Sequence, residues 1–245
     1  MNVPPVLQVN RYVVQELVWE SLNVFTLKLS AEQGAPLKFL AGQWVYLHLL
    51  NNDGSSWGRA AFSIASAPSE SQEQIQLAIK IEKDFTKRAG QLQPGDVVGI
   101  QGPFGVFTLP ENAPAMVMFA GGIGIAPFRS MIREVLAKQL PIDMILFYSN
   151  RFIEESVFFE ELDDFALQSP KFKAVCTLTG GDISSEWKGE VGRFNQAMLD
   201  KHCIVDDPNM QFLMCGPEAF MEQVKAVLSD KGIDTKKRLK QELFG

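Results

Sequence analysis

"FAGGIGIAPF", Phe119 to Phe128, ends an apolar run with glycines at 121, 122 and 124 and sets a proline where a helix would begin. Glycines there remove the side chains that would hold another molecule off the backbone, and they leave amide N–H groups pointing outward. Pro127 suits the first helical turn, where its missing N–H is no loss, and the helix dipole adds partial positive charge at the same spot. The stretch therefore reads as a strand–turn–helix seat for an anion such as a pyrophosphate. Upstream, "AMVMFA" (115–120) is the continuous apolar run that a strand buried on both faces requires. Downstream, Phe128, Met131, Ile132, Val135 and Leu136 repeat at helical spacing as one apolar stripe.

Towards the C-terminus the same alternation continues. "DMILFY" (143–148), the helix-like "ESVFFEELDDFAL" (155–167), "KAVCTLT" (173–179), "MQFLMCG" (210–216) and the helix "PEAFMEQVKAVLSDKG" (217–232) predict a parallel sheet with ligands outside the carboxyl ends of its strands. Phe220, Val224, Val227 and Leu228 form the stripe of that last helix, and Gly232 stands where a left-handed cap is wanted. "CGP" (215–217) is a second strand–Gly–Pro–helix junction, expected on the same edge as the first. The second strand ends in "YSNR" (148–151), without the acid that usually holds a dinucleotide's ribose, and Pro127 stands where the common fingerprint has its third glycine.

Towards the N-terminus the period changes to two. In "IQLAIKIEK" (75–83), Ile75, Leu77, Ile79 and Ile81 alternate with outward residues, and "NVFTLKLS" (23–30), "WVYLHLL" (44–50) and "DVVGIQG" (96–102) read alike. Turn signals such as "NNDGSS" and "QPGD" separate them, so an antiparallel barrel is expected. The predicted division is a barrel over 1–109 and an α/β domain over 110–245.

Bulk properties exclude several classes. The 245 residues carry a formal charge of −6 and no long Lys/Arg cluster, which argues against nucleic acid. No stretch reaches eighteen uninterrupted apolar residues and the N-terminus lacks a leader pattern, so no membrane span and a cytoplasmic location are expected. Cys176, Cys203 and Cys215 are widely spaced, as reduced thiols are, and His48 and His202 are the two histidines. His202 beside Cys203 reads as ordinary surface rather than as half a metal site, and no iron–sulfur cysteine cluster is present.

With both junctions in view, the chain resembles the ferredoxin–NADP reductase superfamily, in which a flavin-binding barrel precedes a nicotinamide-binding domain. "AGGIGIAPFRSM" (120–131) is similar to its pyrophosphate loop, "MCGPEAFM" (214–221) to its nicotinamide-side motif and "GPFGVFTL" (102–109) to its interdomain junction. The resemblance implies that Gly121, Gly122, Gly124, Pro127, Gly216 and Pro217 hold NADH or NADPH. Asn150 suits a ribose hydroxyl and Arg151 a 2′-phosphate; Lys188 and Arg193 either assist a phosphate or dress a loop.

"RAAFSIAS" (59–66) matches the family stretch in which an arginine grips the FAD pyrophosphate, an aromatic residue packs on the flavin and a hydroxyl bonds its N5. Phe62 and Ser63 take the last two roles. The family places its arginine three residues before the hydroxyl; Arg59 stands four before Ser63 and Ala60 fills the expected slot, so a bulge would be needed to bring the guanidinium round. "KDFTKRAGQLQPGD" (83–96) resembles the second phosphate contact, with Thr86 as candidate, while Lys87 and Arg88 form either a solvated basic spot or a patch for an acidic electron carrier. In "QELFG" (241–245), Glu242 and Phe244 match tails that approach the flavin, or the segment is a frayed end.

The implied chemistry is hydride transfer from nicotinamide C4 to flavin N5 where both sites face one cleft, followed by electron delivery to a protein or small acceptor such as a ferredoxin, a flavodoxin or an oxygenase component. Ser63, Cys215 and Glu242 are the candidate catalytic residues, Cys215 either abutting the nicotinamide or filling the core as a small apolar residue. Two other readings remain: a reductase using flavin as a dissociable substrate, and a non-catalytic nucleotide-binding subunit.

Overall fold

The computed structural model describes residues 7–70, 73–181, 183–205 and 207–243. Phe244 lies outside them. The chain divides into two compact units, Met1–Leu109 with Arg129–Ala137, and Pro110–Phe128 with Lys138–Gly245.

Six strands build the first unit: β1 (Val9–Trp19), β2 (Val24–Ala31), β3 (Trp44–Leu50), β4 (Ser56–Ser63), β5 (Gln74–Lys80) and β6 (Val97–Phe104), with a short helix α1 (Asp84–Ala89) after β5. They pair antiparallel in the order β4-β3-β6-β1-β2-β5. An antiparallel bridge between Ile64 and Leu77 joins the chain just past β4 to β5 and closes the sheet into a barrel. The period-two residues explain the closure, because Leu27, Leu29, Val45, Leu47, Ile75, Leu77, Ile79, Val98 and Ile100 all point into one core and are fully or nearly fully buried. Each such side chain stabilises the fold by about 1.5–3 kcal/mol relative to exposure. The turn over 51–56 is fixed by its own chemistry: Gly54 sits at φ +82° and Asp53 Oδ1 accepts from the Ser55 amide at 2.9 Å.

The second unit carries β7 (Ala115–Gly121), β8 (Asp143–Asn150), β9 (Phe172–Leu178), β10 (Glu190–Val191), β11 (Gln211–Gly216) and β12 (Leu239–Leu243). Helix α2 (Ile125–Lys138) starts in this unit but belongs to the first over residues 129–137, and α3 (Phe159–Gln168), α4 (Gln196–His202), α5 (Glu218–Asp230) and α6 (Thr235–Arg238) complete the second. All strands run parallel in the order β10-β9-β8-β7-β11-β12. Successive strands grow from β7 towards β10 on one side, and β11 and β12 lie on the other. The order therefore reverses between β7 and β11, the place where open α/β sheets bind ligands. Phe119 and Phe147 stack and Phe194 meets both edge-on, with centroids 5.0–5.4 Å apart, in a core completed by Met214, Val224 and Leu228. The last segment differs from a frayed end: Leu239–Leu243 is a strand of the sheet, paired residue for residue with Phe212–Gly216.

Candidate functional site

Both glycine junctions of the second unit lie at this switch point. β7 runs through Gly121 into a 3₁₀ turn, Gly122–Gly124, and straight into α2, with Pro127 in the first helical turn. β11 runs through Gly216 to Pro217, the N-cap of α5. Because Ala120 pairs with Cys215, the two turns sit side by side. Their approach is too close for side chains. A Cβ on Gly124 would lie 2.3 Å from the Cys215 carbonyl oxygen, and one on Gly216 would lie 2.9 Å from Gly121 Cα. Gly122 differs: it adopts φ +52°, and nothing stands within 4 Å of where its Cβ would be. Its glycine answers a conformational need and leaves the backbone bare to whatever approaches. A cradle with bare amides, a helix N-terminus and no side chain in the way fits a dinucleotide pyrophosphate.

Cys215 and Glu242 come together, since they are register partners across β11 and β12. Burial, with the Glu242 charge adding, raises the Cys215 thiol above its ordinary range. It stays protonated at neutral pH. At the end of β8, Asn150 is 6% exposed, and its Oδ1 has no partner among the described residues. Its backbone carbonyl accepts from the Thr179 amide at 2.9 Å and hydroxyl at 3.2 Å; burial raises the nearby Tyr148 phenol, and the Asn150 side chain opposes that shift. Arg151, one residue on, is exposed and stacks over Phe152 at 5.1 Å.

In the first unit, strand parity decides what each residue meets. Arg59 to Ser63 pair regularly with His48 to Trp44. Phe62 is opposite Val45 and packs on the barrel core. Arg59 is opposite His48, on the other face of β4, where its guanidinium lies 4.4 Å over the Tyr46 ring and donates to Gln101 Oε1 at 3.1 Å. His48 Nε2 approaches the same oxygen at 3.1 Å; burial holds its imidazole below the ordinary value, and the Arg59 charge adds to that. The ladder is irregular one step earlier. Leu49 pairs with Gly58 but Leu50 with Ser56, so Trp57 is the extra residue. This bulge turns Trp57 rather than Arg59: its ring stacks on Phe85 of α1 at 6.3 Å, and Phe85 stacks on Phe62 at 6.1 Å.

Ser63, at the end of β4, is buried. Thr86 spends its hydroxyl locally, accepting from the Glu82 and Lys83 amides at 2.9 and 3.1 Å and donating to the Lys83 carbonyl at 2.9 Å. One donor and two lone pairs are then used, so a phosphate contact would compete with this cap.

Beside its apolar stripe, α2 carries polar residues whose partners its sequence alone does not announce. Arg129 Nη1 donates to the Ala65 carbonyl at 3.0 Å and Gln76 Oε1 at 2.9 Å, Ser130 Oγ donates to the Ser66 carbonyl at 2.7 Å, and Glu134 Oε2 accepts from the Ser69 amide at 2.8 Å. These bonds fasten the chain that follows Ser63. The signal for them was a helix with polar residues at 129, 130, 133 and 134 beside its core stripe.

A closed antiparallel barrel followed by a parallel sheet with a glycine-built switch point defines the class of two-domain flavin and pyridine-nucleotide oxidoreductases. Residues 11–109 match the oxidoreductase FAD-binding domain and residues 118–226 the oxidoreductase NAD-binding domain. The chain is 31% identical over 212 residues to ferredoxin–NADP reductase B of Sorangium cellulosum, covering 83% of this chain and 85% of that protein. It is 29% identical over 226 residues to the glycine betaine monooxygenase reductase subunit of Chromohalobacter salexigens, spanning 89% of this chain but 60% of that protein's length. A crystal structure of a ferredoxin NADP+ reductase from Neisseria gonorrhoeae with bound FAD and NADP superposes with a TM-score of 0.79 at 22% identity, over 96% of this chain and 98% of that one. The chain belongs to the ferredoxin–NADP reductase superfamily of FAD- and NAD(P)-binding oxidoreductases.

Proposed function

We propose that this chain oxidises NADH or NADPH with bound FAD and delivers the electrons to a protein acceptor, such as an oxygenase component, a ferredoxin or a flavodoxin. The observation that carries this reading is the pair of glycine junctions at the switch point, where sterics and exposed backbone together suit a dinucleotide pyrophosphate. FAD supplies the redox chemistry, taking up a hydride and passing electrons onward. Gly121, Gly122, Gly124, Gly216 and Pro217 would hold the nicotinamide nucleotide through backbone groups. Cys215, held neutral by burial, would bound the nicotinamide ring without reacting with it, and Glu242 beside it would keep a polar group at that wall. Phe62 would pack on the flavin, and the Ser63 hydroxyl would hold a proton at flavin N5, donating or accepting as that atom changes state. Arg151, the exposed cation past β8, would serve a 2′-phosphate, whereas the buried Asn150 would set the strand end through Tyr148.

Among the described residues no helix is long and apolar enough to cross a membrane, and we assign the protein to the cytoplasm. The test is to load the protein with FAD, pass it through gel filtration and mix it anaerobically with NADH or NADPH. Retained flavin whose absorbance band bleaches on mixing is the expected result. Flavin lost on the column would favour a dissociable flavin substrate, and retained flavin that neither nucleotide reduces would leave a binding subunit.

A further inference from the structure

The residue at the family's arginine slot is Ala60, and the arginine beside it is committed to the opposite face of β4, stacked on Tyr46 and bonded to Gln101. Phe62 therefore lacks a cation on its own strand and on its own side. Its side does carry one from elsewhere. The bulge at Trp57 places that ring in a row with Phe85 and Phe62, and the Arg88 guanidinium of α1 caps the row, 4.5 Å over the Trp57 centroid. Among the described residues Arg88 has no carboxylate within ion-pair distance, while its neighbour Lys87 is paired with Asp84 at 3.5 Å. Arg88 also lines a cleft of about 430 Å³ together with Arg11, Asn51, Asn52, Gly54 and Asp96. Of the other charges there, the Arg11 guanidinium is paired with Glu32 and the Asp96 carboxylate accepts from the Gln93 amide at 2.7 Å.

We infer that Arg88, rather than Arg59, is the cation that grips the phosphate end of the flavin cofactor in this chain. The inference rests on the flavin-binding reading above. Its physical basis is that a guanidinium held over an indole face retains N–H donors for a phosphate, whose oxygens it meets as a fork. Moving the arginine from strand to helix lets a chain with alanine at position 60 keep the charge that the site requires.

The test is fluorescence-quench titration of the apo-protein with riboflavin, which has no phosphate, with FMN and with FAD. With Arg88→Gln, affinity for FAD and FMN should fall roughly tenfold to a hundredfold, the range for one charged hydrogen-bonding partner, while riboflavin affinity stays unchanged. The salt dependence of FAD binding should fall with it, and Arg88→Lys should recover part of both. Arg59→Gln should leave FAD affinity within about twofold, too little for a lost charged contact. An equal loss for all three flavins in Arg88→Gln, showing a packing role, would overturn the inference, as would a phosphate-dependent loss in Arg59→Gln alone. Unaltered protein that binds no flavin would instead overturn the flavin reading, and this assignment with it.

Discussion

At Gly124 a Cβ would lie 2.3 Å from a backbone oxygen, so only one residue type fits; at positions 59 and 60 of β4, arginine and alanine occupy neighbouring slots on opposite faces. The first site is made of backbone and the second of side chains. A backbone-built site constrains its sequence by sterics, whereas a side-chain-built site on a strand depends on parity, and a displacement of one residue turns a guanidinium to the other face.

The sharpest way to break this comparison is to substitute the glycines. Gly124→Ala should destabilise the protein by about 3 kcal/mol in denaturant unfolding, the upper range for overpacking, because the atom it meets is backbone and cannot yield. Gly122→Ala, with open space around it, should cost about 1–2 kcal/mol for the left-handed backbone alone. Equal costs at the two positions would mean that close packing of β7–α2 on β11 is not what selects glycine.

Alkaline pH tests two thiols of the second unit, the partly buried Cys176 and the buried Cys215. Burial, with the Asp163 charge adding, pushes Cys176 up to about 12 from its ordinary 9.0, and Cys215 is raised as well. The fold favours the neutral thiol, so its contribution is complete below pH 9 and is lost as pH rises towards 12. Cys176 steepens the fall by about 1.4 kcal/mol per pH unit within that window, and Cys215 acts in the same direction. The thermal unfolding midpoint should decline above pH 9, and Cys176→Ser should make the decline shallower. An unchanged slope would remove burial as the cause.

On β4, Ser63→Ala should slow reduction of the bound flavin by about fivefold, the worth of one hydrogen bond of about 1 kcal/mol, with FAD still retained. Unaltered kinetics would separate Ser63 from N5. Smallest is Arg59→Ala, which should lower stability by about 1 kcal/mol through the lost contacts to Tyr46 and Gln101. A larger effect on FAD affinity than on stability would return Arg59 to the flavin side.

Periodicity made the barrel strands and the β–α alternation legible, since Ile75, Leu77 and Ile79 or Phe128, Met131 and Ile132 declare their faces without any partner. The glycine junctions were legible for the reason given above. Arg59 was not, because register with β3 depends on where the bulge falls, and the bulge sits at Trp57. Thr86 was recognised as a hydroxyl near a helix start, yet the local amides that saturate it depend on how Glu82 and Lys83 turn. The strand Leu239–Leu243 was hidden because Lys240, Gln241 and Glu242 stand together between its two leucines with no period-two pattern, which suits an edge and resembles a tail.

Anaerobic single turnover of the FAD-loaded chain with NADH or NADPH, with hydrogen or deuterium at nicotinamide C4, tests the central claim most directly. The account predicts bleaching of the flavin band, slower with the deuterated nucleotide. A band that stays oxidised with both nucleotides would contradict it.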